Sequence, residues 1–339
     1  MVEGETDDWR WTKFKEMANQ VRKIRQGPAR NAFVESALLL SKSLKDSKFP
    51  LRSAEIFDEF TNLEIRFLSY LDGEFDSIAA TCKDYFIHRH GKFSLTGQFD
   101  FKVYPKKAGI QTGVICEVFE GNKRSMFHVK THQHGPTINN SLSVQKPDAK
   151  ELFIYKYLEI LGFGPHCHFI APITGSNRTI YIATEHIEFT DLDKLGMSYS
   201  HFQPLLELDL ISRILCLTDC TTNNSNCGLN GQNPAIIDFR IEAQSDYAKP
   251  DILDRYLSGN GEYNYSGLMG CAIALSDNDK IDLLKSFINT RNPRAHITEA
   301  QQYVSHLISE MVGLISCSDF DLYLTGISLT LSALEAFSN

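Results

Sequence analysis

Two aspartates and an asparagine occur within the stretch LTDCTTNNSNCGLNGQNPAIIDF, residues 217–239. Asn224 follows Asp219 by five residues, and Asp238 comes at the end of a short apolar run. Phosphoryl transfer needs one carboxylate near the hydroxyl that loses its proton, and it needs carboxylate and amide oxygens that hold Mg²⁺. These residue types therefore indicate a phosphotransferase site. Turn formation alone is the plainer interpretation, because turns also favour Asp, Asn and Gly.

A predicted β-hairpin gives two of these residues a reason to meet. The segments Cys227–Leu229 and Ala235–Phe239 have strand character, and Asn230-Gly231 between them tolerates the positive φ angles of a tight turn. Folding this hairpin returns Asp238 to the neighbourhood of Asn224.

A lysine and a glutamate earlier in the chain are candidates for a phosphate-binding pair. Lys130 closes the predicted strand RSMFHVK, and Glu151 begins the amphipathic helix KELFIYKYLEIL, with Tyr155 and Leu158 on its own face. A lysine ammonium is a point charge that suits phosphate, and a carboxylate would hold it in place. Each residue also has a plainer interpretation, as a solvated strand-end lysine and as a glutamate that favours a helix N-terminus.

The elements that must position these residues fall into three parts. Residues 8–90 have apolar positions at three- and four-residue intervals and are predicted to be helical, whereas residues 93–190 are mainly predicted strands around one helix. After about residue 200 the pattern is helical again, apart from the small hairpin. This order predicts an α+β fold with a cleft between two lobes.

Composition sets the broad class. The chain has 339 residues, is 42% hydrophobic and carries a formal net charge of −8, which is typical of a globular protein and argues against nucleic acid as the main partner. We expect neither a membrane span nor a signal peptide, because the chain has no run of about 18 apolar residues and begins with an acidic segment. Eight scattered cysteines indicate thiols in a reducing compartment, hence a cytoplasmic location.

The chain resembles the protein-kinase-like superfamily over roughly residues 95–335, and among its atypical branches the actin-fragmin kinase group is the most similar. The resemblance implies a two-lobed fold, with a helical N-terminal extension over 1–92, a small β-rich lobe over 93–187 and a larger helical lobe over 188–339. The motifs that carry it are FHVK (127–130), KELFIYKYL (150–158), LTDCTTNN (217–224) and IIDF (236–239).

The resemblance implies a role for each polar residue of the second lobe. Asp219 would orient or deprotonate the acceptor hydroxyl. Asn224 and Asp238 would ligate Mg²⁺. The repeated asparagines leave the register open, so Asn226 is an alternative ligand to Asn224.

The resemblance also implies how ATP is held. Lys130, paired with Glu151, would contact the nucleotide phosphates. The segment Thr184–Ile187 would form the hinge, with backbone groups of Glu185 and Ile187 facing adenine.

Several positions depart from the family pattern. No GxGxxG motif precedes the lysine strand, and the nearest glycines that could let backbone approach the phosphates are Gly109 and Gly113. His128 occupies a place where a small residue is usual, Thr218 stands where an arginine is usual, and Arg240 replaces a glycine.

The sequence thus predicts an ATP- and Mg²⁺-dependent kinase whose acceptor is a serine or threonine of a protein, with a cytoskeletal, actin-related protein as one candidate. Two alternatives stay open. The departures favour a pseudokinase that binds nucleotide with little turnover, and a small-molecule or lipid kinase would have a similar architecture.

Two further patterns invite other interpretations. The pairs His132/His134 and His166/His168 lack the ligand spacing of a zinc site, and so do Cys216, Cys220 and Cys227. The basic amphipathic segment 9–26 suggests a helix on a membrane surface or partner, although such a helix more often packs against its own protein.

Overall fold

The computed structural model describes residues 6–24, 28–71, 74–90, 99–106, 111–137, 145–171, 179–195, 198–218, 220, 223–241, 247–258 and 275–337. The fold is α+β, as predicted, and the chain divides into two compact units. One consists of Met1–Lys146 with Phe169–Ala183, and the other of Pro147–His168 with Thr184–Asn339. Among the described residues, no helix is long and apolar enough to cross a membrane.

The first unit begins with three helices: α1 (Asp7–Gln20), α2 (Pro28–Asp46) and α3 (Ala54–Leu71). The Thr6 hydroxyl caps α1 by accepting the Trp9 N–H at 3.3 Å. Trp11, Phe14, Met17 and Ala18 are buried in the core of these helices. The apolar face of α1 therefore packs within the protein, which is the plainer of the two interpretations of segment 9–26.

A helix and most of a five-stranded β-sheet complete the first unit, whereas Cys167, His168, Thr184 and Glu185 of that sheet belong to the second unit. The sheet has the order β1-β2-β3-β5-β4 and consists of β1 (Phe99–Pro105), β2 (Gly113–Glu120), β3 (Lys123–Thr131), β4 (Cys167–Ile170) and β5 (Tyr181–Glu185). Strands β1, β2 and β3 pair in antiparallel fashion. Helix α4 (Glu74–Lys83) and the π-helical turn Asp84–His90 pack Ile78, Cys82 and Phe86 onto this sheet. The sequence did not predict β4, which is a run of only four residues.

The second unit is built around a buried helix, α5 (Ala149–Leu161). Its other elements are β6 (Thr190–Asp191), α6 (Phe202–Ile214), β7 (Cys227–Asn230), β8 (Asn233–Ile236), α7 (Ile252–Ser258), α8 (Asp277–Arg291), α9 (Pro293–Glu310) and α10 (Phe320–Glu335). Helix α5 ends, as predicted, at Gly162, whose φ of 79° terminates the helix in the left-handed conformation. The α5 side chains contact α9 and α10, so that nearly the whole helix surface is buried.

The predicted hairpin is present, but its second strand differs from the prediction. Gly231 has a φ of 61° in the turn between β7 and β8, as the sequence indicated. The second strand runs over Asn233–Ile236 and not over Ala235–Phe239. The ladder ends there because the Asn226 N–H donates to the Asn223 carbonyl at 3.0 Å within a 3₁₀ turn, although the Asn226 carbonyl still accepts the N–H groups of Ile237 and Asp238, at 2.9 and 3.4 Å.

Candidate functional site

Helix α5 presents the predicted glutamate from the interior of the second unit. The Asp148 carboxylate caps the helix by accepting the Lys150 N–H at 2.9 Å. The Ala149 N–H donates to the Ser316 carbonyl at 2.8 Å, which fixes the first turn. Glu151, in that turn, is only 2% exposed. Because a buried carboxylate is costly, its position on a fixed helix favours a specific role.

The face of α5 that carries Glu151 contacts the segment that carries Asp238. Tyr155 lies one turn after Glu151, and its ring centroid is 4.5 Å from that of Phe239. Both aromatic side chains are buried. Since Phe239 directly follows Asp238, this ring contact brings the Asp238 segment to the Glu151 face of the helix.

The backbone around Asp238 is fixed by a second contact, with the asparagine-rich loop. Asn224–Asn226 forms a 3₁₀ turn, capped by the Asn223 side chain, whose Oδ1 accepts the Ser225 N–H at 3.4 Å and the Ser225 hydroxyl at 2.6 Å. The carbonyl of Asn226 then accepts the two N–H groups at residues 237 and 238. Asn226 is 8% exposed, whereas the side chain of Asn224 lies outside what the structure describes.

The loop that carries Asp219 starts from a well-defined end of α6. Cys216 has a positive φ of 55°, which closes the helix, and the Leu217 N–H donates to the Ser212 carbonyl at 2.9 Å. The buried Tyr323 hydroxyl donates to the Leu215 carbonyl at 2.9 Å. These contacts fix where the chain leaves the helix.

The chain then pairs with the residues that follow Asp238. Leu217 forms a β-bridge with Ile241, and the Thr218 N–H donates to the Arg240 carbonyl at 3.0 Å. Asp219 itself lies outside the described residues. The pairing places the residue before Asp219 beside the residue two positions after Asp238, so both predicted carboxylates belong to segments that are joined.

Asp238 is half-buried at this junction. One of its carboxylate oxygens, Oδ1, accepts the Phe239 N–H at 3.0 Å. Carboxylates and asparagine amides are the oxygen ligands that Mg²⁺ prefers. Asp238 and the neighbouring asparagine loop are therefore suited to hold Mg²⁺. Among the described residues, no three His, Cys, Asp or Glu side chains form a cluster that could hold a metal ion.

The predicted hinge is an extended segment of the second unit. Strand β5 ends at Glu185, and His186–Phe189 continue without regular structure to β6. The Glu185 N–H donates to the His166 carbonyl at 2.8 Å. Because that N–H is engaged, the carbonyl of Glu185 is the backbone group that this residue could offer to an adenine ring. Ile187 is half-buried.

Gly113 and Lys130 belong to the first unit, where Gly113 on β2 pairs with Lys130 on β3. Along β3, Phe127 and Val129 are buried in the core, while His128 and Lys130 alternate with them on the other face. A Cβ atom at Gly113 would lie 2.0 Å from the Val129 carbonyl oxygen. Glycine is therefore required at this position by the approach of the two strands. Gly109 lies outside the described residues.

A polar cluster at the C-terminal end of α5 was not recognised as functional from the sequence. Glu159 contacts the side chains of Lys156 and His166 and both the N–H and the thiol of Cys167. The sequence signal was a glutamate in an otherwise apolar last turn, followed by a Gly-Pro turn and a histidine. The turn geometry that joins them is not encoded in that spacing alone.

No model of a known protein family matches the sequence, and a search of the curated proteins found no match.

Proposed function

We propose that this chain is an ATP-dependent phosphotransferase of the atypical kinase type, with a two-lobed kinase-like fold, and that it transfers the γ-phosphate to a hydroxyl group. The observation that carries the proposal is the 4.5 Å contact between the Tyr155 and Phe239 rings. It joins the segment of Asp238 to the helix face of the buried Glu151. This aromatic contact joins the segments of two acidic residues that the sequence resemblance assigns to one nucleotide site.

The chemistry assigned to the second unit follows from its oxygen ligands. Asp238, together with Asn226 or Asn224, would hold Mg²⁺, which neutralises charge on the nucleotide phosphates when it is bound. The backbone contact between Asn226 and Asp238 favours Asn226 as the amide ligand. Asp219 would accept the proton of the attacking hydroxyl at its carboxylate.

The resemblance assigns the remaining roles. Lys130 would contact the phosphates, and the carbonyl of Glu185 with the backbone of Ile187 would face adenine. Lys130 lies on the third strand of an antiparallel meander. This position supports the assignment, because the resemblance implies a small β-rich lobe that carries the lysine. The acceptor that we propose is a serine or threonine of a protein, with an actin-related protein as the first candidate. A cytoplasmic location is supported by the described cysteines, which form no disulfide.

A nucleotide-binding module with little turnover is the second candidate, and Gly113 favours it. The contact with Val129 accounts for the small size of this residue, so Gly113 gives no independent evidence for a phosphate-binding loop. The exposed His128 lies on the same strand face as Lys130, where a bulky side chain would alter nucleotide stacking.

Nucleotide-induced stabilisation and phosphate transfer distinguish these candidates. We expect Mg²⁺-ATP to raise the melting temperature of the wild type, and we expect transfer of labelled γ-phosphate to actin or to Ser/Thr peptides. Asp219→Ala should reduce transfer by about 10² to 10³-fold while nucleotide stabilisation persists. The matched control is Asp251→Ala, since Asp251 is an exposed carboxylate whose ion pair, with Arg255 at 2.7 Å, lies within one helical turn.

Stabilisation by nucleotide without transfer to any acceptor would favour the binding module. No stabilisation at saturating nucleotide would contradict both candidates.

The two asparagines can be separated by the same measurements. We expect Asn226→Ala to raise the Mg²⁺ concentration needed for half-maximal transfer by about tenfold, because loss of one metal ligand weakens binding by roughly that amount or more. Asn224→Ala should change it less. The opposite order would assign the ligand to Asn224.

A further inference from the structure

The carboxylate of Glu159 collects four donors at the end of α5. Its Oε1 accepts from Lys156 Nζ at 3.0 Å and lies 2.6 Å from His166 Nδ1. Its Oε2 accepts the Cys167 N–H at 3.2 Å and the Cys167 thiol at 3.1 Å. We call these four residues the Glu159 cluster. Four donors satisfy the acceptor capacity of an ionised carboxylate, so the arrangement requires that Glu159 be charged.

The Glu159 cluster is linked to the predicted hinge by one further hydrogen bond. His166 immediately precedes β4, and its carbonyl accepts the Glu185 N–H at 2.8 Å. Glu185 is the last residue of β5 and the first hinge residue for which a nucleotide contact is proposed. A shift of the His166 backbone can therefore reach Glu185 through this hydrogen bond, beside the pairing of β4 with β5.

Electrostatics make His166 the member of the cluster that titrates. Burial alone would raise the pKa of Glu159, but the hydrogen bonds from His166, Cys167 and Lys156 outweigh it and hold the pKa at about 2. The hydrogen bond to Glu159 raises the pKa of His166 above its ordinary value. Burial and the Lys156 charge oppose this increase, and the Glu185 carboxylate reinforces it.

The other titratable side chains around His166 are His168, Cys167, Lys156 and Glu185. His168 packs its ring edge-on against that of His166, with 4.6 Å between centroids, and is 6% exposed. Burial raises the pKa of the Cys167 thiol well above its ordinary value. Lys156 lies over the Tyr303 ring at 4.6 Å. The His166 side chain is 47% exposed and can exchange its proton with solvent directly.

The sign of the pH dependence follows from the direction of the shift. A histidine whose pKa is raised on folding contributes stability that is fully present below its ordinary pKa. That contribution is lost as the pH rises through the raised value, because the neutral ring no longer forms a charged pair with Glu159. The link to Glu185 should therefore be strongest in mildly acidic solution and weaker in alkaline solution.

We propose that Glu159 and His166 are positioning residues that hold Glu185 in a protonation-dependent manner, so that nucleotide binding at Glu185–Ile187 weakens as the pH rises past neutrality. The positioning of Glu185 is independent of what the site binds. The nucleotide part rests on the proposed function.

Amide hydrogen exchange of Glu185 tests the positioning without any ligand. We expect its protection factor, corrected for the intrinsic exchange rate, to fall by roughly threefold between pH 6 and pH 8.5, the range expected for a half-exposed ion pair. His166→Gln, which keeps a neutral donor at every pH, should remove this dependence. Glu159→Gln should remove it as well.

The matched control is His306→Gln on α9, where an exposed histidine lies 3.3 Å from Glu310 and the pair is remote in sequence from the hinge. This variant should leave the protection of Glu185 and its pH dependence unchanged. Equal protection of Glu185 at both pH values in the wild type would overturn the positioning. An unchanged pH dependence of the Glu185 protection factor in His166→Gln would also overturn it.

A second measurement separates this inference from the proposed function. The ratio of the Mg²⁺-ATP affinities of the wild type and His166→Gln should be about threefold larger at pH 6 than at pH 8.5, since the titration of ATP itself cancels in the ratio. A constant ratio would overturn the nucleotide part. If neither protein binds nucleotide, the proposed function fails, while the exchange of Glu185 still decides whether the two residues position the strand end.

Discussion

The N-terminal helices and the surroundings of α5 bury side chains of different kinds. The core of α1–α3 is mainly apolar, with the Phe14 ring centroid 5.5 Å from that of Phe60 and 5.1 Å from that of Phe67, and α2 adds only Arg30 and Ser41 as buried polar side chains among the described residues of these helices. Helix α5 buries Lys150 at 7% exposure and Glu151 at 2% exposure. An apolar core is sufficient to fix three helices, whereas buried charges lower stability unless they are paired. The comparison indicates that the two buried charged side chains at the start of α5 are not needed for packing of the helix.

Truncation of the aromatic core should have the largest effect on stability. Phe14 is fully buried, so Phe14→Ala is expected to lower the free energy of unfolding by about 4 kcal/mol in urea denaturation. The affinity for Mg²⁺-ATP, measured on the folded fraction, should not change. Trp9→Ala is the control, since Trp9 is 48% exposed and should cost less than about 1 kcal/mol. A lost nucleotide response in Phe14→Ala would break the comparison, because function would then depend on the apolar core.

Two glycines distinguish strand packing from turn conformation. Gly113→Ala places a Cβ 2.0 Å from the Val129 carbonyl and must push β2 away from β3, which should cost about 3 kcal/mol. Gly231→Ala meets nothing within 4 Å and suffers only from its φ of 61°, at about 1 kcal/mol. Urea denaturation of both variants should show the larger loss of stability for Gly113→Ala. A smaller loss for Gly113→Ala would contradict the packing role assigned to this glycine.

His132 is an intermediate case, a buried polar side chain that stays neutral. Burial, together with the charge on His134, lowers the pKa of His132 to about 4, although a backbone hydrogen bond at Gln145 opposes the shift. Because the pKa of His132 is lower in the folded protein than in the unfolded chain, its contribution to stability is present above the ordinary histidine pKa. That contribution is lost as the pH falls below the ordinary value. We expect a loss of about 2 kcal/mol between pH 7.5 and pH 5.

Urea denaturation at the two pH values measures this loss. In His132→Leu most of it should disappear, whereas the exposed His306→Gln should behave as the wild type. An equal acid response in His132→Leu would assign the titration to another group.

The local parts of the fold were predictable because local chemistry decides them. Gly162 stops α5 and Gly231 turns the hairpin, since both adopt the positive φ that glycine favours. The helical period of residues 8–90 also predicts the helices found in the described part of that region.

The features that depend on distant partners were not predictable. The end of β8 is set by the 3₁₀ turn Asn224–Asn226, in which the Asn226 N–H donates to the Asn223 carbonyl instead of continuing the ladder. The four-residue β4 has too little periodicity to be recognised. Spacing could not choose between Asn224 and Asn226, because the choice depends on which backbone meets Asp238 in three dimensions.

The most direct test of the central claim is calorimetric binding of ATP with and without Mg²⁺ by the wild type, Asp238→Asn and the exposed-surface control Asp251→Asn. We predict that the wild type and the control bind ATP more tightly with Mg²⁺, and that Asp238→Asn loses at least about tenfold in Mg²⁺-dependent affinity, as expected on removal of a charged ligand. Equal Mg²⁺-ATP affinity in Asp238→Asn and the wild type would contradict the account, as would the absence of ATP binding by the wild type.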